Sequence, residues 1–135
     1  MSSSVDQKTF PSGSRVVGAG AMTADNAADA GGASGALARG TAAAAGGVWM
    51  GTSVLAAGAQ SARHHHTDQT TILCVITGTM WLVVEGPDGD EELTVEAGQI
   101  AVVPGGLVHR EDNRGDVDCL CVVVRNSETP AVVNV

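Results

Sequence analysis

Residues 58–78 read GAQSARHHHTDQTTILCVITG and residues 98–113 read GQIAVVPGGLVHREDN. In an extended segment successive side chains alternate between faces, so His64 and His66 share one face while Arg63 and His65 take the other. Parity therefore leaves His65 out of any joint site. In the second stretch an apolar run, 99–103, leads into Pro104-Gly105-Gly106, whose missing amide and permissive φ angles suit a change of direction. The strand that returns carries His109, Glu111 and Asn113 on one face and Arg110 and Asp112 on the other. Three imidazoles, His64, His66 and His109, are thus available on inward faces, enough to hold one divalent metal ion.

Outward from these stretches, short β-branched runs separated by Gly, Pro, Asp and Asn recur at 48–55, 71–77, 79–85, 91–95, 99–103, 107–112 and 118–125. This spacing predicts an antiparallel all-β domain. Pro87-Asp88-Gly89-Asp90 supplies a turn, and Gly78 sits where strands 71–77 and 79–85 are expected to reverse. Seven or more such strands suggest a closed or double-sheet barrel, which also removes exposed edges. Residues 1–14 are Ser-rich and polar, and residues 15–47 are rich in Ala and Gly with no firm period. The chain divides into an N-terminal arm, 1–20, and a single barrel domain, 21–135, with the two histidine stretches at 58–78 and 98–113.

A length of 135 residues suits one domain and one site. Fifteen acidic residues against seven basic ones give a net charge of −8, which argues against nucleic acid and anionic membrane as partners. No apolar run is long enough to span a bilayer, and the start MSSSVDQKTF lacks a signal-peptide layout, so a cytoplasmic location is expected. Three cysteines do not make a disulfide framework; Cys119 and Cys121 read as buried thiols on one strand face. Trp49 and Trp81 read as core anchors, and Asp88, Asp90, Glu91 and Glu92 as a solvated hairpin tip.

The two stretches together resemble the cupin superfamily. Its first motif is a glycine, five residues, His-x-His, three or four residues, a glutamate, six residues and a glycine. Gly58, His64, His66 and Gly78 fit, but Thr71 stands where the glutamate is expected. The second motif is matched throughout by Gly98, Pro104, Gly106, His109 and Asn113. The resemblance implies a cupin-type β-barrel, also described as a double-stranded β-helix or jelly roll, with metal ligands His64, His66 and His109. It also implies a homodimer. Without a carboxylate at 71 the protein ligands are neutral, leaving open positions for water or substrate.

The expected function is that of a metal-dependent enzyme acting on a small oxygen-chelating organic molecule. If the ion is Fe, Mn, Ni or Cu, the resemblance implies a dioxygenase, which is favoured. Zn would instead imply a cyclase, isomerase or lyase of the polyketide-cyclase kind. A non-catalytic metal- or ligand-binding cupin is the other reading. Two further residues are catalytic candidates. Glu111 shares the face of His109 and could act as a base, although Arg110 and Arg114 beside it favour a solvated ion-pair cluster. Gln69, two residues before Thr71, could approach the metal through its amide oxygen.

Overall fold

The computed structural model describes residues 7–19 and 37–135. Every regular element among them is a strand: β1 (Gln7–Thr9), β2 (Arg15–Val17), β3 (Leu37–Ala45), β4 (Val48–Leu55), β5 (His64–His65), β6 (Thr71–Thr77), β7 (Thr79–Gly86), β8 (Gly89–Glu96), β9 (Ile100–Val103), β10 (His109–Asp112), β11 (Cys119–Arg125) and β12 (Val133–Asn134). The expected all-β jelly roll is present as two five-stranded sheets, ordered β12-β5-β10-β7-β8 and β3-β4-β11-β6-β9, with all strand pairs antiparallel. A small β1–β2 hairpin lies outside them and is tied on where Arg15 Nη2 donates to the Ala44 carbonyl at 2.7 Å. The boundary expected near residue 20 falls at 20–36, outside the described residues.

Alternation of side chains decides which face is core. β11 buries Cys119, Cys121, Val123 and Arg125, and β6 buries Thr71, Leu73 and Val75. Together with Leu55, Leu82 and Val84 these fill the space between the sheets. Each such apolar side chain contributes roughly 1.5–3 kcal/mol when fully buried. Cys119 and Cys121 are free buried thiols, as expected.

Two turns act differently from the sequence expectation. Thr71–Thr77 and Thr79–Gly86 do not pair with each other; β6 belongs to one sheet and β7 to the other, so Gly78 carries the chain across the sandwich. Its φ is +81°, and a Cβ there would stand 2.6 Å from the Asp118 carbonyl oxygen, so only glycine fits. Pro104-Gly105-Gly106 does the same between β9 and β10, and a Cβ at Gly105 would collide with the Asp68 carbonyl. The Pro87-Asp88 turn, by contrast, closes a true hairpin, with Gly86 opposite Gly89.

The Ala-rich segment conceals a nine-residue strand. β3 (LARGTAAAA) is an edge strand laddered to β4 with an irregularity between Arg39 and Ala42. Only Leu37 of its residues is fully buried. Its conformation is set by hydrogen bonding to its neighbour, since alanine has little strand preference of its own.

Candidate metal centre

β5 and β10 run side by side, and His64 is the direct cross-strand partner of His109. His66, one residue beyond β5, returns to the same face. The three imidazoles are 1%, 3% and 2% exposed for His64, His66 and His109. Their ring centroids lie 4.9 Å (His64 to His66), 4.6 Å (His64 to His109) and 5.0 Å (His66 to His109) apart. One ring nitrogen from each falls within 4.8 Å of the other two. His65 is half-buried, and its Nδ1 accepts the Thr67 amide at 3.0 Å, so it stays outside the cluster as parity predicts.

The other ring nitrogens fix the tautomers. His64 Nδ1 lies 2.7 Å from the Ala62 carbonyl, His66 Nδ1 lies 2.7 Å from the Ala131 carbonyl, and His109 Nδ1 lies 3.0 Å from the Leu107 carbonyl. A carbonyl can only accept, so each Nδ1 carries the proton and each Nε2 offers a lone pair. Burial lowers the pKa of His66 to about 3, helped by the positive fields of Arg125, His109 and His64. Burial also lowers that of His109, against the opposing pull of Glu111. Both rings are neutral near pH 7. A buried group of converging imidazole lone pairs is an arrangement a divalent ion completes, and anchored imidazoles are typical of ligands held ready. The donor set fits a metal ion.

Glu111 is not part of a solvated ion-pair cluster. Its side chain points inward, the residue is 9% exposed, and Oε2 is buried with no partner. Arg110 and Arg114 pair instead with Asp112, at 2.9 and 3.2 Å, and Arg114 also with Glu92 at 2.7 Å. Burial pushes the Glu111 pKa up, but His64, His109, His66 and Arg125 outweigh it and hold the carboxyl at about 2. The carboxylate stands outside the 4.8 Å group of imidazole nitrogens.

Gln69 is used elsewhere. Its Nε2 donates to the Thr129 carbonyl at 3.0 Å and its Oε1 accepts the Ala131 amide at 3.2 Å, so its amide oxygen is not aimed at the histidines. It tethers the segment whose carbonyl fixes His66.

Arg125 is the residue that sequence reading missed. It is 3% exposed and lies opposite Thr71 on the neighbouring strand. Its Nε donates to Thr71 Oγ1 at 3.1 Å and its Nη2 donates to His66 Nε2 at 3.2 Å, while Nη1 is buried without a partner. The guanidinium also sits over Trp49, 5.6 Å from the ring centroid. Burial and the nearby charge of Arg39 lower its pKa to about 10, so it remains charged at neutral pH. The one available signal was an arginine at an inward position of an otherwise apolar strand, CLCVVVR. Thr71, Glu111, Arg125, Ser53, Met80 and Val123 line a narrow cavity between the sheets.

Comparison with known proteins places these residues in context. A family profile described as Cupin domain matches residues 51–125. Germin-like protein 2-3 of Oryza sativa subsp. japonica is 31% identical over 75 residues, covering 53% of this chain and 34% of that protein. An oxalate oxidase in complex with the substrate analogue glycolate superposes with a TM-score of 0.62 at 31% identity, over 66% of this chain and 46% of the other. A Bacillus subtilis oxalate decarboxylase, studied for its Mn(II) centres, superposes with a TM-score of 0.61 at 20% identity, over 65% of this chain and 24% of the other. At that identity the likeness shows the fold alone. The chain spans about a third of the germin-like protein and less than half of the oxalate oxidase.

Proposed function

The chain belongs to the cupin domain family, and on that premise we propose that it is a metal-dependent enzyme acting on a small oxygen-chelating organic molecule. One observation carries this reading: three buried imidazoles with proton-bearing Nδ1 atoms anchored on carbonyls present their Nε2 lone pairs to a common point. His64, His66 and His109 are the proposed ligands. A redox-active divalent ion (Fe, Mn, Ni or Cu) would supply oxygen chemistry there, the dioxygenase reading we favour, whereas Zn would supply Lewis-acid chemistry for a cyclase, isomerase or lyase. The oxalate oxidase likeness supports the oxidative branch and a small substrate.

Glu111 is the proposed proton acceptor. It is buried and unpartnered at Oε2, two residues along the same inward face from His109, where a proton released by a bound acid or water could be taken up. The walls of the cavity keep bulk water from that carboxylate.

A homodimer is also proposed. The outward residues of β9, β6, β11 and β4 include Ile100, Val102, Ile72, Ile76, Val122 and Met50 and no charged side chain. Ile100 is 65% and Val102 is 55% exposed. Such a face suits a second copy of itself. The cysteines, all free, suit a reducing compartment such as the cytoplasm.

Metal analysis of protein purified without a histidine tag, followed by oxygen uptake with candidate chelating acids and enols, tests the function. We expect one equivalent of a redox-active ion and uptake that disappears in His64→Ala. Zinc alone with no oxygen consumption would sink the oxidative branch. For assembly, light scattering should give a dimer that Ile100→Glu converts to monomer; a monomeric wild type would remove the dimer.

A further inference from the structure

The proposed ligand set contains a conflict at His66. Its Nδ1 proton is committed to the Ala131 carbonyl, so the ring has one lone pair left, at Nε2, and that lone pair accepts Nη2 of Arg125 at 3.2 Å. A metal ion needs the same lone pair. The two cannot share it, and both are positively charged, so the guanidinium must leave His66 when an ion arrives.

Arg125 is built to move a short way without being set free. Its Nε bond to Thr71 and its place over Trp49 hold the root of the guanidinium. Nη1 is already buried and partnerless. Once Nη2 is released, the two nitrogens form an edge that matches a carboxylate in bidentate geometry. Glu111 does not use that edge: its Oε2 and Arg125 Nη1 are both buried without partners, on two residues that line one cavity.

Charge points the same way. Arg125 is a buried cation in contact with His66, and a divalent ion would add further positive charge beside it, with Thr71 where a carboxylate is expected. Uncompensated charge in a dry site is costly, and a bound anion offsets it.

We propose that Arg125 is an anion-holding residue which trades His66 for a ligand carboxylate, so that the site takes up its metal and a small carboxylic acid together. This rests on the three-histidine reading above. It differs from simple metal binding because metal and anion must raise each other's affinity by the same factor.

The test uses the full-length metal-free protein titrated calorimetrically with Mn(II), in chloride buffer and again with acetate, a carboxylate that chelates free Mn(II) weakly. Acetate should tighten Mn(II) binding by about tenfold or more, within the usual range of coupling between two sites. Arg125→Gln, checked for folding by circular dichroism, should bind Mn(II) more tightly than wild type in chloride and lose the response to acetate. Arg125→Lys, which keeps the charge but not the fork, should retain weak binding in chloride and respond less than wild type. Equal Mn(II) affinity of the wild type with and without acetate overturns the inference and leaves the metal reading standing. Failure of the wild type to bind Mn(II), Fe(II), Zn(II), Ni(II) or Cu(II) under either condition overturns the metal reading and this inference with it.

Discussion

The two walls of the site are built on opposite principles. On the β5–β10 wall the imidazoles are locked by carbonyls through Nδ1, so that their Nε2 atoms are what is left for a ligand. On the β6–β11 wall the residue expected to be a carboxylate is Thr71, and it is occupied in holding a guanidinium that has an unused donor. The first wall is prepared for a cation and the second for an anion. Preparing them separately lets a neutral ligand set hold an ion weakly until its counter-charge arrives.

The largest way to break this contrast is to remove one imidazole. His109→Ala should lower metal affinity by more than about 100-fold, beyond the range set by outer-sphere changes at metal sites. It should also abolish any rise in melting temperature on adding metal, because only an ion that binds the folded state stabilises it. Thermal melts with and without metal measure this, and an unchanged metal-dependent shift would contradict the role of His109.

Glu111→Gln is next. The amide is nearly the same size but removes a buried negative charge two residues from His109, so metal affinity should fall by about tenfold. With a turned-over substrate, loss of a proton acceptor should lower kcat by roughly 100-fold or more with KM little changed. A variant with wild-type kcat would show that Glu111 only balances charge.

A pH series separates the walls without mutation. Metal-free His66 has its pKa lowered to about 3 by burial, against a usual value of 6.5, so between these values the unfolded chain binds more protons than the folded one. Stability should therefore fall as pH drops from 6.5 toward 3, by about 1.4 kcal/mol per unit for each such histidine. Arg125 should contribute no slope there, since its pKa is about 10. Urea unfolding of the metal-free protein at pH 7, 6 and 5 reads this, and a flat profile would show that His66 is not buried neutral.

What the sequence could and could not convey follows the same division. His64, His66 and His109 were legible because strand parity and motif spacing are local properties, and β4 and β6 fell at the expected bounds, 48–55 and 71–77. Glu111 was misjudged because two neighbouring arginines pointed toward an ion-pair cluster. Alternation along β10 sends Arg110 to the other face, and Arg114, beyond the strand, pairs with Asp112 and Glu92. Arg125 escaped notice because its role depends on the pairing of β11 with β6, fifty-four residues away in sequence. Gly78 was read as a hairpin turn because a sharp turn looks the same whether its strands pair or pass to different sheets. Strand β3 was hidden because alanine carries little pattern of its own.

The smallest expected effect concerns how the histidines are held. His64 and His109 lean on carbonyls two residues back, at Ala62 and Leu107, so their anchors form with their own strands. His66 leans on Ala131, sixty-five residues distant, in a C-terminal segment fastened by Gln69 at Thr129 and Ala131 and continued by β12, whose Val133 and Asn134 pair with His65 and His64. Gln69→Ala removes both fastenings while touching none of the imidazoles. Metal affinity should fall by about tenfold or less, in the lower part of the range for residues that orient ligands. The loss should be specific to His66, so that in a His66→Ala background the second change has no further effect on metal affinity. Additive losses in that double-mutant cycle would mean that Gln69 acts on the site by another route.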